Sequence, residues 1–300
     1  MATPYSVLTI GHGVNIAYEV RGTRYLDQAV PIVLVGGMTA VRQDWERLSN
    51  SLSRSRPVLI YDHRGMGDSK ASEDAVADIS IETLARDLLA LIVHLGWRHV
   101  AFCGWSMGGV VLQQLLTLPY HPTNPTTIPF YPTHVLLAAT RSMVLAAQHG
   151  LQYKPAPGNA TTRTPAERRM IAIKILEQTF DPEWLELNRA RFEYLCKRGA
   201  TGIRPPPVVA KQQEALRTFN FAGLLHLLPR DLKIMVIHGE LDQVIPLKAA
   251  QAMMELLPSA EFVQAGQVRG QVPSHRFGHH WYEYFDIEVW RDVMEAFMSK

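Results

Sequence analysis

Strand-length runs that are apolar on both faces, each followed by a helical pattern, constrain this chain more than any other feature. Pro31-Ile-Val-Leu-Val35, Pro57-Val-Leu-Ile-Tyr61 and His99-Val-Ala-Phe-Cys103 show no polar–apolar alternation, which predicts strands covered on both sides. Ser80–Leu95 carries Ile81, Leu84, Ala85, Leu88, Leu91, Ile92 and Leu95 at a helical period, with Ser80 placed to cap it. Val41–Leu52 and Met107–Leu118 read as helices after the first and third runs. Strand and helix in alternation call for parallel pairing with right-handed crossovers. Upstream, Ser6–Ile10 and Val14–Val20 read as a hairpin around Gly11-His12-Gly13. The alternation lapses after His134–Ala139. It resumes with strand Lys233–His238, helix Leu247–Leu257, strand Glu261–Gln264 and helix Phe285–Met298.

Between these stretches, Ser142–Leu228 has no strand-like run. Its helical segments, around Ala166–Phe180, Glu183–Arg198 and Val208–Phe221, are joined by loops rich in Pro and Gly. A chain of 300 residues accommodates one α/β core with such an insertion. The expected division is a core of residues 1–141 and 229–300 and a helical lid of residues 142–228. Loops Pro119–Pro132 and Gly266–Phe277 are long for this architecture.

Hydrophobic residues at 47% and charged residues at 19% describe a globular chain, and a net charge of +2 gives no reason to propose nucleic acid or anionic lipid as a partner. No apolar run approaches the roughly 20 residues of a membrane span. The first residues show no basic-then-apolar leader. Cys103 and Cys196 form no metal-ligand spacing; a disulfide between them stays open, with a reduced cytoplasmic protein as the expectation. Nothing in the sequence sets an oligomeric state.

Chemistry concentrates at Gly104-Trp-Ser106-Met-Gly108, a G-x-S-x-G between predicted strand and predicted helix. A serine on so tight a turn needs glycine two residues to either side for the chain to pass. Its hydroxyl then projects from the sheet edge toward the N–H groups of the next helix. Ser106 is the candidate nucleophile and the Met107 N–H one oxyanion donor. A second donor belongs in the loop after the Pro31–Val35 strand, where Gly36-Gly37 lets the backbone approach and offers the Met38 N–H.

A serine hydroxyl needs a base within reach and a carboxylate to orient that base. Asp242 lies just past the Lys233–His238 strand on the same sheet edge, with Glu240 as runner-up. The base must follow it, in Ser274-His275-Arg-Phe-Gly278-His279-His280. His279 is preferred, His280 is the alternative, and His275 sits within the long loop. Clustered histidines can also mean a metal site, but no H-E-x-x-H or carboxylate at metal spacing accompanies them, so no metal is expected.

Together these residues resemble the α/β-hydrolase superfamily, in its lid-bearing branch of small esterases, lactonases, cofactor-independent perhydrolases and carbon–carbon hydrolases. The likeness is carried by Val35-Gly-Gly-Met38 with Trp45, Asp62-His-Arg-Gly-Met-Gly-Asp-Ser69, Gly104–Gly108, His238-Gly-Glu-Leu-Asp242-Gln-Val-Ile-Pro246 and Gly278-His279. It implies a mostly parallel eight-stranded sheet flanked by helices, a lid after the sixth strand, no cofactor, and a Ser106–Asp242–His279 triad. Two departures stand out: Gly36-Gly37 replaces the common His-Gly, and the Gln264–Arg276 loop stretches the interval from acid to base. The serine separates the chain from relatives that use an aspartate nucleophile.

The resulting expectation is a serine hydrolase acting on an ester, lactone or thioester of a small molecule through an acyl-enzyme. Carbon–carbon cleavage with the same triad and a non-catalytic ligand-binding receptor are the alternatives. Phe180, Trp184, Phe192, Tyr194, Phe219 and Phe221 offer aromatic surface in the lid, better read as packing than as pocket. The same segment holds 12 Lys and Arg against 7 Asp and Glu, an excess that fits an anionic substrate but more often marks a solvated face.

Overall fold

The computed structural model describes residues 5–11, 13–144, 164–201 and 203–300. Its strands are β1 (Ser6–Thr9), β2 (Asn15–Arg21), β3 (Ile32–Val35), β4 (Val58–Tyr61), β5 (His99–Trp105), β6 (Tyr131–Ala138), β7 (Lys233–Ile237) and β8 (Glu261–Phe262). They form one eight-stranded sheet in the order β1-β2-β4-β3-β5-β6-β7-β8. The β1–β2 and β2–β4 pairs are antiparallel and the rest parallel, as expected of the α/β-hydrolase fold.

The uniform apolarity of the strands has a direct cause. Alternate residues go to opposite faces, and both faces are covered. Val33, Val35, Phe102 and Leu137 pack on one side against α3 (Ile81–Leu95), α4 (Met107–Thr117) and α9 (Leu247–Leu256). Ile32, Leu34, Cys103 and Leu136 pack on the other against α1 (Glu46–Leu52) and α10 (Ile287–Met298). Ser80 caps α3 as its position suggests, accepting from the Thr83 N–H at 3.1 Å. No helix among the described residues is long and apolar enough to cross a membrane.

Several elements depart from the sequence reading. The Val41–Leu52 segment opens with a 3-10 turn, Arg42–Trp45, before α1. A short helix, α2 (Glu73–Ala77), went unforeseen. Between β6 and β7 lie α5 (Pro165–Glu177), α6 (Pro182–Leu187), α7 (Arg189–Gly199) and α8 (Pro206–Ala215). The single helix expected over Glu183–Arg198 divides at Asn188, whose side chain donates to the Trp184 carbonyl (3.1 Å) and closes α6. The helix expected to reach Phe221 stops at Ala215. Beyond it the chain turns through residues 216–218, then Asn220 bridges Met143 and the Phe221 N–H donates to the Ser142 carbonyl (2.9 Å). Of the expected lid, residues 145–163 and 202 lie outside the described residues, as does His12 of the β1–β2 turn.

The turn after β4 holds charge inside the fold. The Arg64 guanidinium grips Asp87 of α3 with two bonds of 2.6 Å, and Arg42 joins Glu19, Asp62 and Asp68. Burial raises the pKa of Asp87 even though the Arg64 bonds pull it down, so desolvation weighs heavily on this pair. Removing one partner strands the other. Asp87→Ala is expected to lower stability by about 3–5 kcal/mol, read as a reduced denaturation midpoint in urea; a midpoint close to wild type would show that the pair is dispensable.

Candidate active site

β5 ends at Trp105 and α4 begins at Met107, so Ser106 alone makes the turn. Its φ of 55° and ψ of −120° lie where L-residues rarely sit, a strain on the order of 1–3 kcal/mol. Neighbouring bonds hold it there. The Ser106 N–H donates to the Ala138 carbonyl at 2.9 Å, and the Thr140 hydroxyl donates to the Ser106 carbonyl at 2.7 Å. The first turn of α4 presses on the loop after β3: a Cβ on Gly108 would stand 2.1 Å from the Val35 carbonyl oxygen. That loop also reaches the serine, since a Cβ on Gly37 would lie 3.1 Å from that of Ser106.

Two backbone donors face this region. The Met107 N–H opens α4 and has no acceptor within the helix, at the positive end of its dipole. The Met38 N–H donates to no acceptor among the described residues, whereas the next amide, Thr39, donates to the Gln212 side chain of α8 at 3.0 Å. His63 steadies the same loop, its Nε2–H donating to the Gly36 carbonyl at 3.0 Å. Burial lowers the pKa of His63 to about 4, so this ring is neutral near pH 7.

Ser106, Asp242 and His279 come together from three separate segments. The Ser106 hydroxyl stands 3.0 Å from His279 Nε2, and His279 Nδ1–H donates to Asp242 Oδ2 at 2.9 Å. The other carboxylate oxygen accepts from the Val244 and Ile245 N–H groups, each at 2.9 Å. Burial opposes ionisation of Asp242, but His279, its hydrogen bond, His238 and the Ile245 N–H outweigh it and hold the pKa below the usual carboxylate range. The His279 backbone is fixed as well, its carbonyl accepting from Trp105 Nε1–H at 2.8 Å.

The competing residues are engaged differently. His280 stacks on Phe180, with centroids 4.8 Å apart, and packs on Trp105 at 4.7 Å. Burial lowers its pKa to about 3, so it stays neutral at any ordinary pH. His275 donates from Nε2 to the Val263 carbonyl at 2.8 Å, and Glu240 is exposed. Among the described residues no three His, Cys, Asp or Glu side chains gather as metal ligands would.

Other residues at the site escaped sequence reasoning. Thr140 lies at the end of the strand beside β5, a position that would have pointed to it. His238 reads in the sequence as a strand end and as the start of the His238–Pro246 motif, with no role of its own. It is fully buried, 3.4 Å from Asp242 Oδ2, and its Nε2–H donates to the Ile245 carbonyl at 2.8 Å. Gln212 is one polar residue in a helix and carries no local signal.

Ser106 opens onto a cavity of about 400 Å³ whose apolar wall includes Met38, Val110, Ile175, Leu176 and Leu216. Phe180, Trp184, Phe192, Tyr194, Phe219 and Phe221 do not line it. Phe180, Trp184, Phe219 and Phe221 are buried in packing, and Phe180 and Trp184 stack at 3.9 Å.

Comparison with known proteins agrees with this architecture. A family profile of the alpha/beta hydrolase fold matches residues 30–123. The RutD protein of Stutzerimonas stutzeri, named for carbamate hydrolysis, is 34% identical over 254 residues, covering 81% of this chain and 85% of its own. RutD of Pseudomonas savastanoi pv. phaseolicola is 23% identical over 82% of this chain and 88% of its length. Among solved structures, an esterase from Rhodococcus sp. ECU1013 matches with a TM-score of 0.75 and 22% identity, covering 99% of this chain and 98% of that one. An enol-lactonase from Burkholderia xenovorans LB400 matches with 0.71 and 18%, covering 99% and 100%.

The depressed pKa of Asp242 has a thermodynamic consequence. The folded state releases this proton more readily than the unfolded chain, so the carboxylate stabilises the fold above an ordinary aspartate pKa of about 4. That contribution fades as pH falls through the lower folded value. The stability gap between wild type and Asp242→Asn, measured by urea unfolding, is expected to be widest near pH 7 and to shrink below about pH 4. A gap that grew with acid would contradict an ionised Asp242.

Proposed function

The chain belongs to the α/β-hydrolase superfamily, and on that footing we propose that it is a serine hydrolase cleaving a carboxylic ester, lactone or thioester of a small molecule through an acyl-enzyme at Ser106. The chief support is the continuous line of hydroxyl, imidazole and carboxylate, with bonds of 3.0 and 2.9 Å, at the edge of a cavity.

In the proposed cycle, His279 Nε2 takes the Ser106 proton as the serine oxygen bonds to the acyl carbon. The carbonyl oxygen becomes an oxyanion and accepts hydrogen bonds from the Met38 and Met107 N–H groups. The bond to the leaving group then breaks, and the proton on His279 leaves with that group. Water repeats the sequence: His279 takes one proton, the resulting hydroxide attacks the acyl carbon, and the proton returns to Ser106 as the acid departs. Asp242 keeps the imidazole in the productive tautomer and stabilises its charged form.

The inserted segment, residues 142–228, acts as a lid over the core of residues 1–141 and 229–300 in this proposal. It would shape the pocket through Ile175, Leu176 and Leu216, and it meets the oxyanion loop through the Gln212–Thr39 bond. Carbamates form a second substrate reading, supported by the RutD relatives. A carbamate presents an acyl carbon to the same nucleophile.

A fluorophosphonate probe, which phosphonylates activated serines, tests the assignment. Rapid labelling that disappears in Ser106→Ala is the expected result; a folded wild type that resists the probe would favour a non-catalytic receptor. With p-nitrophenyl esters or carbamates, His279→Ala and Asp242→Asn are expected to lower kcat on the order of 10³–10⁴-fold. His280→Asn is expected to retain a measurable rate well above both. If His280→Asn were instead the more damaging change, the base would have been misassigned.

A further inference from the structure

The cavity at Ser106 carries two arginines, Arg141 and Arg217, and no carboxylate among the described residues of its wall. Arg141 follows Thr140, whose hydroxyl holds the Ser106 carbonyl. Its own carbonyl accepts from Gln113 of α4 at 3.0 Å, which fixes the backbone beside the nucleophile. The guanidinium is half-buried. One of its five N–H donors reaches the Leu216 carbonyl at 3.3 Å, and its carbon lies 5.3 Å from the Phe219 ring centre. Neither Arg141 nor Arg217 pairs with a carboxylate among the described residues. Burial lowers the pKa of Arg141, as befits a cation without a countercharge.

A neighbouring cavity sets the contrast. It is also about 400 Å³ and shares Thr39, Trp105, Ile175, Leu176 and His280 with the first. Its acids are matched by cations: Asp44 by Arg204 at 2.9 Å, and Glu283 by Arg191 at 2.6 Å and Arg47 at 2.8 Å. In the core, Arg42 and Arg64 likewise hold carboxylates. Desolvating a guanidinium is costly unless an anion compensates it. In the cavity at Ser106 the guanidinium of Arg141 has no such anion among the described residues.

We propose that the substrate of Ser106 is an anion whose carboxylate docks on Arg141, with Arg217 adding positive charge at the rim. The inference rests on the serine-hydrolase reading and deepens it. The planar guanidinium suits a carboxylate because it can donate two parallel N–H bonds. A ligand carboxylate there would give Arg141 the kind of partner that the buried Arg42, Arg56 and Arg64 already have. It would also orient the reacting carbonyl toward the nucleophile.

Fluorophosphonate probes differing only at the far end separate the possibilities without requiring turnover. One series ends in a carboxylate and the other in a primary amide, each at two chain lengths. The quantity read is the ratio of their second-order labelling rates at Ser106, so a general loss of reactivity cancels. Wild type is expected to favour the carboxylate probe at one length by on the order of tenfold. Arg141→Gln should bring that ratio near one, and Arg141→Lys, which keeps the charge but loses the planar fork, should give an intermediate value. A wild-type ratio near one at both lengths overturns anion recognition and leaves the serine hydrolase standing. A high ratio that survives Arg141→Gln overturns the role of Arg141. Should Arg141→Gln fail to fold, the wild-type and lysine ratios decide. If neither probe labels folded wild type, the serine-hydrolase reading falls, and this inference falls with it.

Discussion

The structure turns on one close approach, the first turn of α4 lying directly on the backbone that leaves β3. No side chain fits between Gly108 and the Val35 carbonyl, where an added Cβ would stand 2.1 Å away. That contact sets where the helix starts and therefore how sharply the chain must turn at Ser106. It also brings the Gly36-Gly37 loop beside the serine, so Ser106 and the backbone that carries the Met38 and Met107 N–H groups are placed by one packing constraint. The strain at Ser106 persists because β6 holds it on the other side, through Ala138 and Thr140.

Around this contact the polar interior is arranged in two ways. Under the sheet edge, charges are neutralised within the chain: Arg64 with Asp87, and Arg42 with Glu19, Asp62 and Asp68. The same holds between the inserted helices and the core, where Arg204 reaches Asp44 and Arg191 reaches Glu283. At the mouth of Ser106 the balance is different, because Arg141 and Arg217 face the cavity without acids. Half-buried Arg141 thus differs from the buried Arg42, Arg56 and Arg64, each of which holds a carboxylate, while Arg217 is exposed at the rim. Departures of that kind tend to mark sites that receive something from outside.

Much of this was legible in the sequence. Unbroken apolar strands announced a sheet covered on both sides, and each core strand formed near its expected position. The G-x-S-x-G turn and the order of serine, acid and histidine picked out Ser106, Asp242 and His279, which the fold joins by hydrogen bonds. Among the three clustered histidines the sequence preferred His279 but left His280 as an alternative, because nothing local separates them. The distinction depends on how the long loop returns, with Ala265 bridging Val272 and His275 bound to Val263, and pairing of that sort leaves no periodic trace. The inserted helices were foreseen, but their ends were not. Asn188 and the Met143–Asn220 bridge impose those ends through contacts that local propensity does not encode. Arg141 stayed hidden because its meaning lies in a missing partner.

The aromatic plate behind the imidazole has an optical consequence. Trp105 immediately precedes Ser106 and packs on His280, while Trp184 stacks on Phe180, which in turn covers His280. Indole emission responds to the polarity and quenching partners around the ring. Two of the chain's six tryptophans therefore bracket the boundary between core and inserted helices, and Trp105, which lines the cavity at Ser106, is an intrinsic optical reporter placed at that site.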